Sequence, residues 1–269
     1  LWTNENGLPH SYVWAITQSA NGYLWVGTAD GLARFDGARF VPQALENTKL
    51  HSNQIFALEP RKDGSLWIGA ASGLARLKGD ELVVFNQTDG LWSTSVTALK
   101  EASNGILWVG TQDGVIFRHE KGKFTGYSTA EGVPKGRIYQ IVETRNGEIL
   151  AAGLGGLYRR KENEWQVLGP ADGLPSRHVT AVTETRDGAL WVGTVDNGIV
   201  RLHQGNRTYF GPRGDPQMPF GSVRGMLEDR DGEMWVSFLD GSVVRIRDLR
   251  VNPRRRAPRR CAACPARPR

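Results

Sequence analysis

Cysteine is missing from the first 260 residues of this 269-residue chain, and its only two, Cys261 and Cys264, stand together near the C-terminus. No disulfide framework can therefore hold the body. A zinc site needs four ligands, and the chain has neither a second CxxC nor an HxxxH to complete one. A redox pair would need a thioredoxin-like helix, which the Arg- and Pro-rich surroundings of these cysteines exclude. A cysteine-free body suits an oxidising or a reducing compartment equally. Long apolar runs are lacking too, and nothing approaches the ~20 residues of a membrane-spanning helix. No leader segment is visible, and the chain starts at Leu1 inside a repeat, as an internal piece of a longer protein would.

A concentrated charge is absent from the body as well. The formal charge is +6 and the isoelectric point near 9.5, values that invite a nucleic-acid reading. The last nineteen residues, VNPRRRAPRRCAACPARPR, hold seven arginines and no acidic residue, so removing them takes the charge from +6 to −1. The body carries no basic stripe, and no nucleic-acid partner is expected.

What the chain does have is one phrase written six times. It reads NGYLWVGT, DGSLWIGA, NGILWVGT, NGEILAAG, DGALWVGT and DGEMWVSF. With Trp25, Trp67, Trp108, Leu150, Trp191 and Trp235 as the equivalent position, the spacings are 42, 41, 42, 41 and 44 residues. A fixed period near 40 to 45 with short strands marks a propeller blade. The expected fold is all-β, a β-propeller of four-stranded antiparallel blades with six blades present.

Each copy divides into four strands. Strand a runs from Val13, Ile55, Val96, Ile138, Val179 and Val223. An Asn-Gly or Asp-Gly pair follows, read as a two-residue hairpin turn with positive φ at both positions. Strand b is the LWVGT run, its Trp expected to fill the wedge between neighbouring blades and its Gly to admit a neighbouring strand closely. Strand c contains LARF, LARL, VIFR, LYRR, IVRL and VVRI, and strand d is built around Phe40, Phe85, Phe124, Trp165 and Phe210. Blade six has no visible strand d. The blades are expected near 4–45, 46–89, 90–129, 130–170, 171–212 and 213–249, with residues 1–3 a closing strand. Two closures fit, a six-bladed ring or a seven-bladed propeller cut after blade six. Residues 250–269 read as a tail without fold, either disordered or out of frame.

In these residues the chain resembles the two-component regulator propeller family, most closely over NGYLWVGTADGLARFDG and ADGLPSRHVTAVTETRDGALWVGTVDNGIVRL. The resemblance covers residues 1 to 249, with blades four and six departing from the pattern. It implies a periplasmic input region of a membrane-anchored sensor kinase or diguanylate cyclase, with output domains that this stretch does not contain. A homodimer is among the assemblies it leaves open.

Function should lie where the copies differ, in the loops from d to a and from b to c around one mouth of the central channel. The candidate ligand-binding residues there are Tyr12, Trp14, Gln54, Phe56, Trp92, Arg137, Tyr139, Arg177, His178 and Arg224. The residue after the first in strand a is Trp14, Phe56, Thr97, Tyr139, Thr180 or Arg224. This mixture suits a polar small molecule, with carbohydrate one candidate. The five histidines, His10, His51, His119, His178 and His203, occupy unrelated registers, so no metal or cofactor is expected. Asp30, Asp113, Asp196 and Asp240 stand where turns favour Asp for local hydrogen bonds, and no catalytic residue is assigned. A propeller lyase or glycoside hydrolase and a plain protein-interaction platform stay open beside the sensor.

Overall fold

The computed structural model describes residues 5, 7–43, 50, 52–162, 164–211, 218–219 and 221–254. Six separate sheets follow one another along the chain, each of four antiparallel strands in the order a, b, c, d. The expected β-propeller blades are thus present. Strand a spans Val13–Gln18, Ile55–Pro60, Val96–Glu101, Ile138–Glu143, Val179–Glu184 and Val223–Glu228. Strand b spans Leu24–Thr28, Leu66–Ala70, Leu107–Thr111, Ile149–Gly153, Leu190–Thr194 and Met234–Phe238.

The repeated phrase works through packing. The strand-b Trp lies between its own blade and the next: Trp25 clusters with Ile55 and Leu58, Trp67 with Val96 and Leu99, and Trp191 with Val223 and Met234. The glycine two residues on faces the first residue of the next strand a. A Cβ at Gly27, Gly69, Gly110 or Gly193 would lie 2.6 to 2.7 Å from a side-chain methyl of Ile55, Val96, Ile138 or Val223. That contact sets the spacing between blades, because packed interiors leave no slack for a methyl group. The Thr that ends the phrase ties the next turn: Thr28 Oγ1 donates to Gly31 O at 2.9 Å and Thr194 Oγ1 to Gly198 O at 2.9 Å.

On the side reached by the end of strand a, carboxylates join successive blades. Glu143 accepts from the backbone N–H of Ser103, Glu184 from that of Arg145 and Glu228 from that of Arg186, each at 2.7 Å.

Two turn assignments need correction. The Asn-Gly and Asp-Gly turns are not two-residue turns with both residues at positive φ. Gly22 has φ +87°, but its N–H donates to Ser19 O at 2.8 Å while Ser19 N–H donates to Tyr23 O at 2.9 Å. This is a type I turn closed by a left-handed glycine. Asn and Asp instead act through their side chains, Asn104 Oδ1 accepting from Ile106 N–H at 3.1 Å. The turns with two positive-φ residues lie between strands c and d, at Lys121-Gly122, Gln204-Gly205 and Asp248-Leu249.

The last of these explains the second correction. Blade six does have a strand d, Arg250–Arg254, paired with its strand c from Val243↔Arg254 to Arg247↔Arg250. Asp248 (φ +48°) and Leu249 (φ +58°) make the turn without glycine, so the sequence signal for it is missing. Residues 250–254 thus belong to the propeller and not to a tail. The proposed closing strand at residues 1–3, His51 and the tail beyond residue 254 lie outside the described residues.

Strands a of adjoining blades pack together from blade one through blade six, whereas no comparable packing joins blade six to blade one among the described residues. At that junction Ile16 is 63% and Leu227 67% exposed.

Candidate functional site

In every blade the pairing of strands a and b slips at one place, between the first and third residues of strand a. The second residue has no partner on strand b. A bulge of this kind re-aims the side chain it carries. Its six occupants are Trp14, Phe56, Thr97, Tyr139, Thr180 and Arg224, and all six line one cavity of about 510 Å³. Ser11, Tyr12 and Val13 of blade one, Arg137 of blade four, and Val223, Phe238, Leu239 and Gly241 of blade six complete its wall.

Arg137 reaches towards the rings of three blades. Its guanidinium carbon is 5.3 Å from the Phe56 ring centroid, 5.4 Å from Tyr139 and 5.8 Å from Trp14. Trp14 meets Phe56 edge to face at 5.5 Å and Tyr12 at 4.9 Å. Burial pushes the Arg137 pKa below the usual arginine value, Tyr139 opposes that shift and the like charge of Arg224 adds to it. Arginine keeps its charge throughout the physiological range all the same. Arg137 Nε and the indole Nε1 of Trp14 are buried without a hydrogen-bond partner. Tyr139 Oη is 2.7 Å from His178 Nε2, and burial lowers the His178 pKa against the opposing charge of Asp196. The two threonines are occupied locally: Thr97 Oγ1 donates to Ile138 O at 2.6 Å and Thr180 Oγ1 to Gly193 O at 3.4 Å.

Among the ten candidates, Tyr12, Trp14, Phe56, Arg137, Tyr139 and Arg224 come together in the wall, and His178 stands behind Tyr139. Gln54, Trp92 and Arg177 do not. Gln54 is exposed, and its carbonyl accepts from Ala71 N–H at 3.1 Å. Trp92 lies edge-on to Phe117 at 5.2 Å and covers Gly126. Arg177 is exposed and its stem faces Gly169. Of the six residues just before strand a only Tyr12 and Arg137 line the wall, whereas all six bulge residues do. Phe238, Leu239 and Gly241 were missed as individual residues, although the corner between strands b and c was expected on this face.

Residues 7–30, 90–113, 173–196 and 217–239 match the family model described as two component regulator propeller. Two component regulator propeller repeats are thus matched in blades one, three, five and six. The four matched segments hold the bulge residues Trp14, Thr97, Thr180 and Arg224. No curated protein matches the sequence. Among solved structures, virginiamycin B lyase from Staphylococcus aureus superposes with a TM-score of 0.69 at 17% identity, over 90% of this chain and 84% of the lyase. The extracellular domain of a protein assigned as a hybrid two component system from B. thetaiotaomicron superposes with a TM-score of 0.56 at 18% identity, over 91% of this chain and 39% of that one. Identities this low establish the shared fold alone.

Proposed function

We propose that this regulator propeller is an extracytoplasmic input domain that binds a small molecule at the channel mouth for a two-component kinase or a diguanylate cyclase. The convergence of all six bulge residues on one cavity carries the reading. The bulge recurs identically in each blade, yet its occupants run from Trp and Phe through Thr to Tyr and Arg. Repetition supplies the scaffold, and the variation makes an asymmetric wall able to orient a ligand. The regulator repeats support a signalling role, and the likeness to an extracellular domain from B. thetaiotaomicron supports placing it outside the cytoplasm.

A propeller enzyme is the second reading, favoured by the likeness to virginiamycin B lyase. The described wall has no carboxylate, and two imidazoles beside it are engaged, His178 by Tyr139 Oη and His10 by the Tyr12 N–H. An acid–base pair within the wall would have to come from the phenols of Tyr12 and Tyr139, so binding without turnover fits the wall better.

A thermal-shift screen of small molecules against this chain tests the proposal. A ligand at a hundred times its Kd stabilises by about 2.7 kcal/mol, which raises Tm by several degrees. The expected hit stabilises the wild type and does not stabilise Trp14→Ala, and it is recovered unaltered. A hit that stabilises both proteins equally, or that is recovered cleaved, overturns the reading.

A further inference from the structure

The channel mouth is built around positive charge that the described residues leave without a carboxylate. Arg137 and Arg224 both line the cavity, and no carboxylate does among the described residues. No ion pair involves either arginine among the described residues, although eleven pairs are formed elsewhere. Acidic groups next to the wall have other partners: Asp240, beside Leu239 and Gly241, accepts from Ser242 N–H at 2.8 Å and from its hydroxyl at 2.6 Å. Asp196 acts on His178.

Arg137 is the more telling of the two. A partly buried guanidinium normally gains a carboxylate, because desolvating a charge without a partner is expensive. Here it has ring faces instead, at 5.3 to 5.8 Å, and ring quadrupoles recover only a part of that cost. Its Nε and the neighbouring Trp14 Nε1 are buried donors lacking acceptors. The wall thus offers two cations beside an aromatic surface made by Tyr12, Trp14 and Phe56.

We propose that the cavity takes a small organic anion, a carboxylate or other oxyanion accepted by Arg137 and Arg224, whose flat apolar face lies on Trp14 and Phe56. An anion would answer the charge of Arg137 and relieve its repulsion with Arg224. Guanidinium presents parallel N–H groups that match the two oxygens of a carboxylate, which gives orientation as well as attraction. Aromatic acids and uronic acids both meet this description, and neutral sugars do not. The inference rests on the channel mouth being the binding site and adds the charge of what binds there.

The test is an NMR titration of the described chain, read at the Trp14 indole N–H, which Trp14→Phe assigns. Two matched pairs serve as probes, phenylacetate with phenylacetamide and galacturonate with galactose. At least one acid is expected to bind ten or more times tighter than its neutral partner and to shift the Trp14 signal. Arg137→Met should bring that preference to within about threefold, and Arg224→Met, an exposed substitution with little risk to folding, should reduce it. The exposed Lys62→Met should leave it unchanged. The proposal is overturned if the neutral partner binds as tightly, if the preference survives in Arg137→Met that remains folded by circular dichroism, or if no acid moves the Trp14 signal. A neutral probe that shifts Trp14 would sink the anion and leave the channel mouth as the binding site. Loss of output control in the encoded signalling protein, with anion binding intact, would do the reverse.

Discussion

Tyr139 Oη lies 2.7 Å from His178 Nε2, so the bulge residue of blade four is tied to the entry of strand a in blade five. The contact fixes the side of Tyr139 that faces away from the cavity. It also places an imidazole where burial disfavours its charged form, with Asp196 pulling weakly the other way.

The sign of the resulting pH dependence follows from that direction. A histidine whose folded pKa is depressed stabilises the fold fully above the unfolded value of about 6.5 and loses that contribution as pH falls through the folded value. His119 shifts the same way, by burial first and then by Arg61 and Arg76. The urea midpoint should therefore be flat from pH 8 to 7 and should fall below about pH 6.5. In an NMR titration His178 should titrate below the ordinary histidine value, and Asp196→Asn should move it lower still. A rise of the His178 pKa in Asp196→Asn would contradict this electrostatic arrangement.

The spacing between blades rests on glycines in strand b. An added Cβ at Gly110 would meet Ile138 Cγ2 at 2.6 Å and Ile138 Cβ at 2.8 Å. Neither atom is the free end of a flexible chain, so blade four would have to shift. Gly110→Ala should cost about 1–3 kcal/mol by overpacking, measured by urea denaturation. Blade four has Ala152 at the equivalent position, in one cluster with Val179 of blade five. That junction has adapted as a whole, and a single substitution elsewhere does not reproduce its adaptation.

Trp67 is 1% exposed and packs with Val96 and Leu99 of blade three and Leu107 behind them. Trp67→Ala should destabilise by about 3–5 kcal/mol, the range for large aromatic truncations in a core. The Trp92→Ala substitution makes the contrast, since Trp92 is half exposed. It should cost clearly less, and it should leave the shape of the channel mouth unchanged. Parallel thermal melts of the two variants check the difference in stability, and unchanged ligand binding by Trp92→Ala checks the channel mouth.

Strands a and b could be read from the sequence to the residue because their apolar patterns recur at a fixed period, and each copy corroborates the others. The strand-a register also picked out Trp14, Phe56 and Tyr139 for the cavity. What it did not contain was the bulge, which arises from pairing between strands and leaves no residue type of its own. The bulge would also have added Thr97 and Thr180, but it does not separate Arg137, a loop residue of the wall, from Gln54, Trp92 and Arg177, which lie outside it. Strand d of blade six was hidden for a related reason. Its turn uses Asp248 and Leu249 at positive φ, where blades one, two, three and five advertise a glycine.

Blade one presents a different face to its surroundings from any interior blade. At the fourth position of strand a, Leu58, Leu99, Ile141 and Val182 are all buried against a neighbour, while Ile16 is 63% exposed. Burial of an Ile side chain is worth about 1.5–3 kcal/mol, and the value is lost where nothing covers it. Ile141→Ala should therefore cost about 2–5 kcal/mol, whereas Ile16→Ala should fall within about 0.5 kcal/mol of the wild type, like other surface changes. Urea denaturation of both variants decides the matter. Equal losses would mean that the face of blade one carrying Ile16 is covered in solution, and that the junction between blades six and one is as tightly packed as the other five.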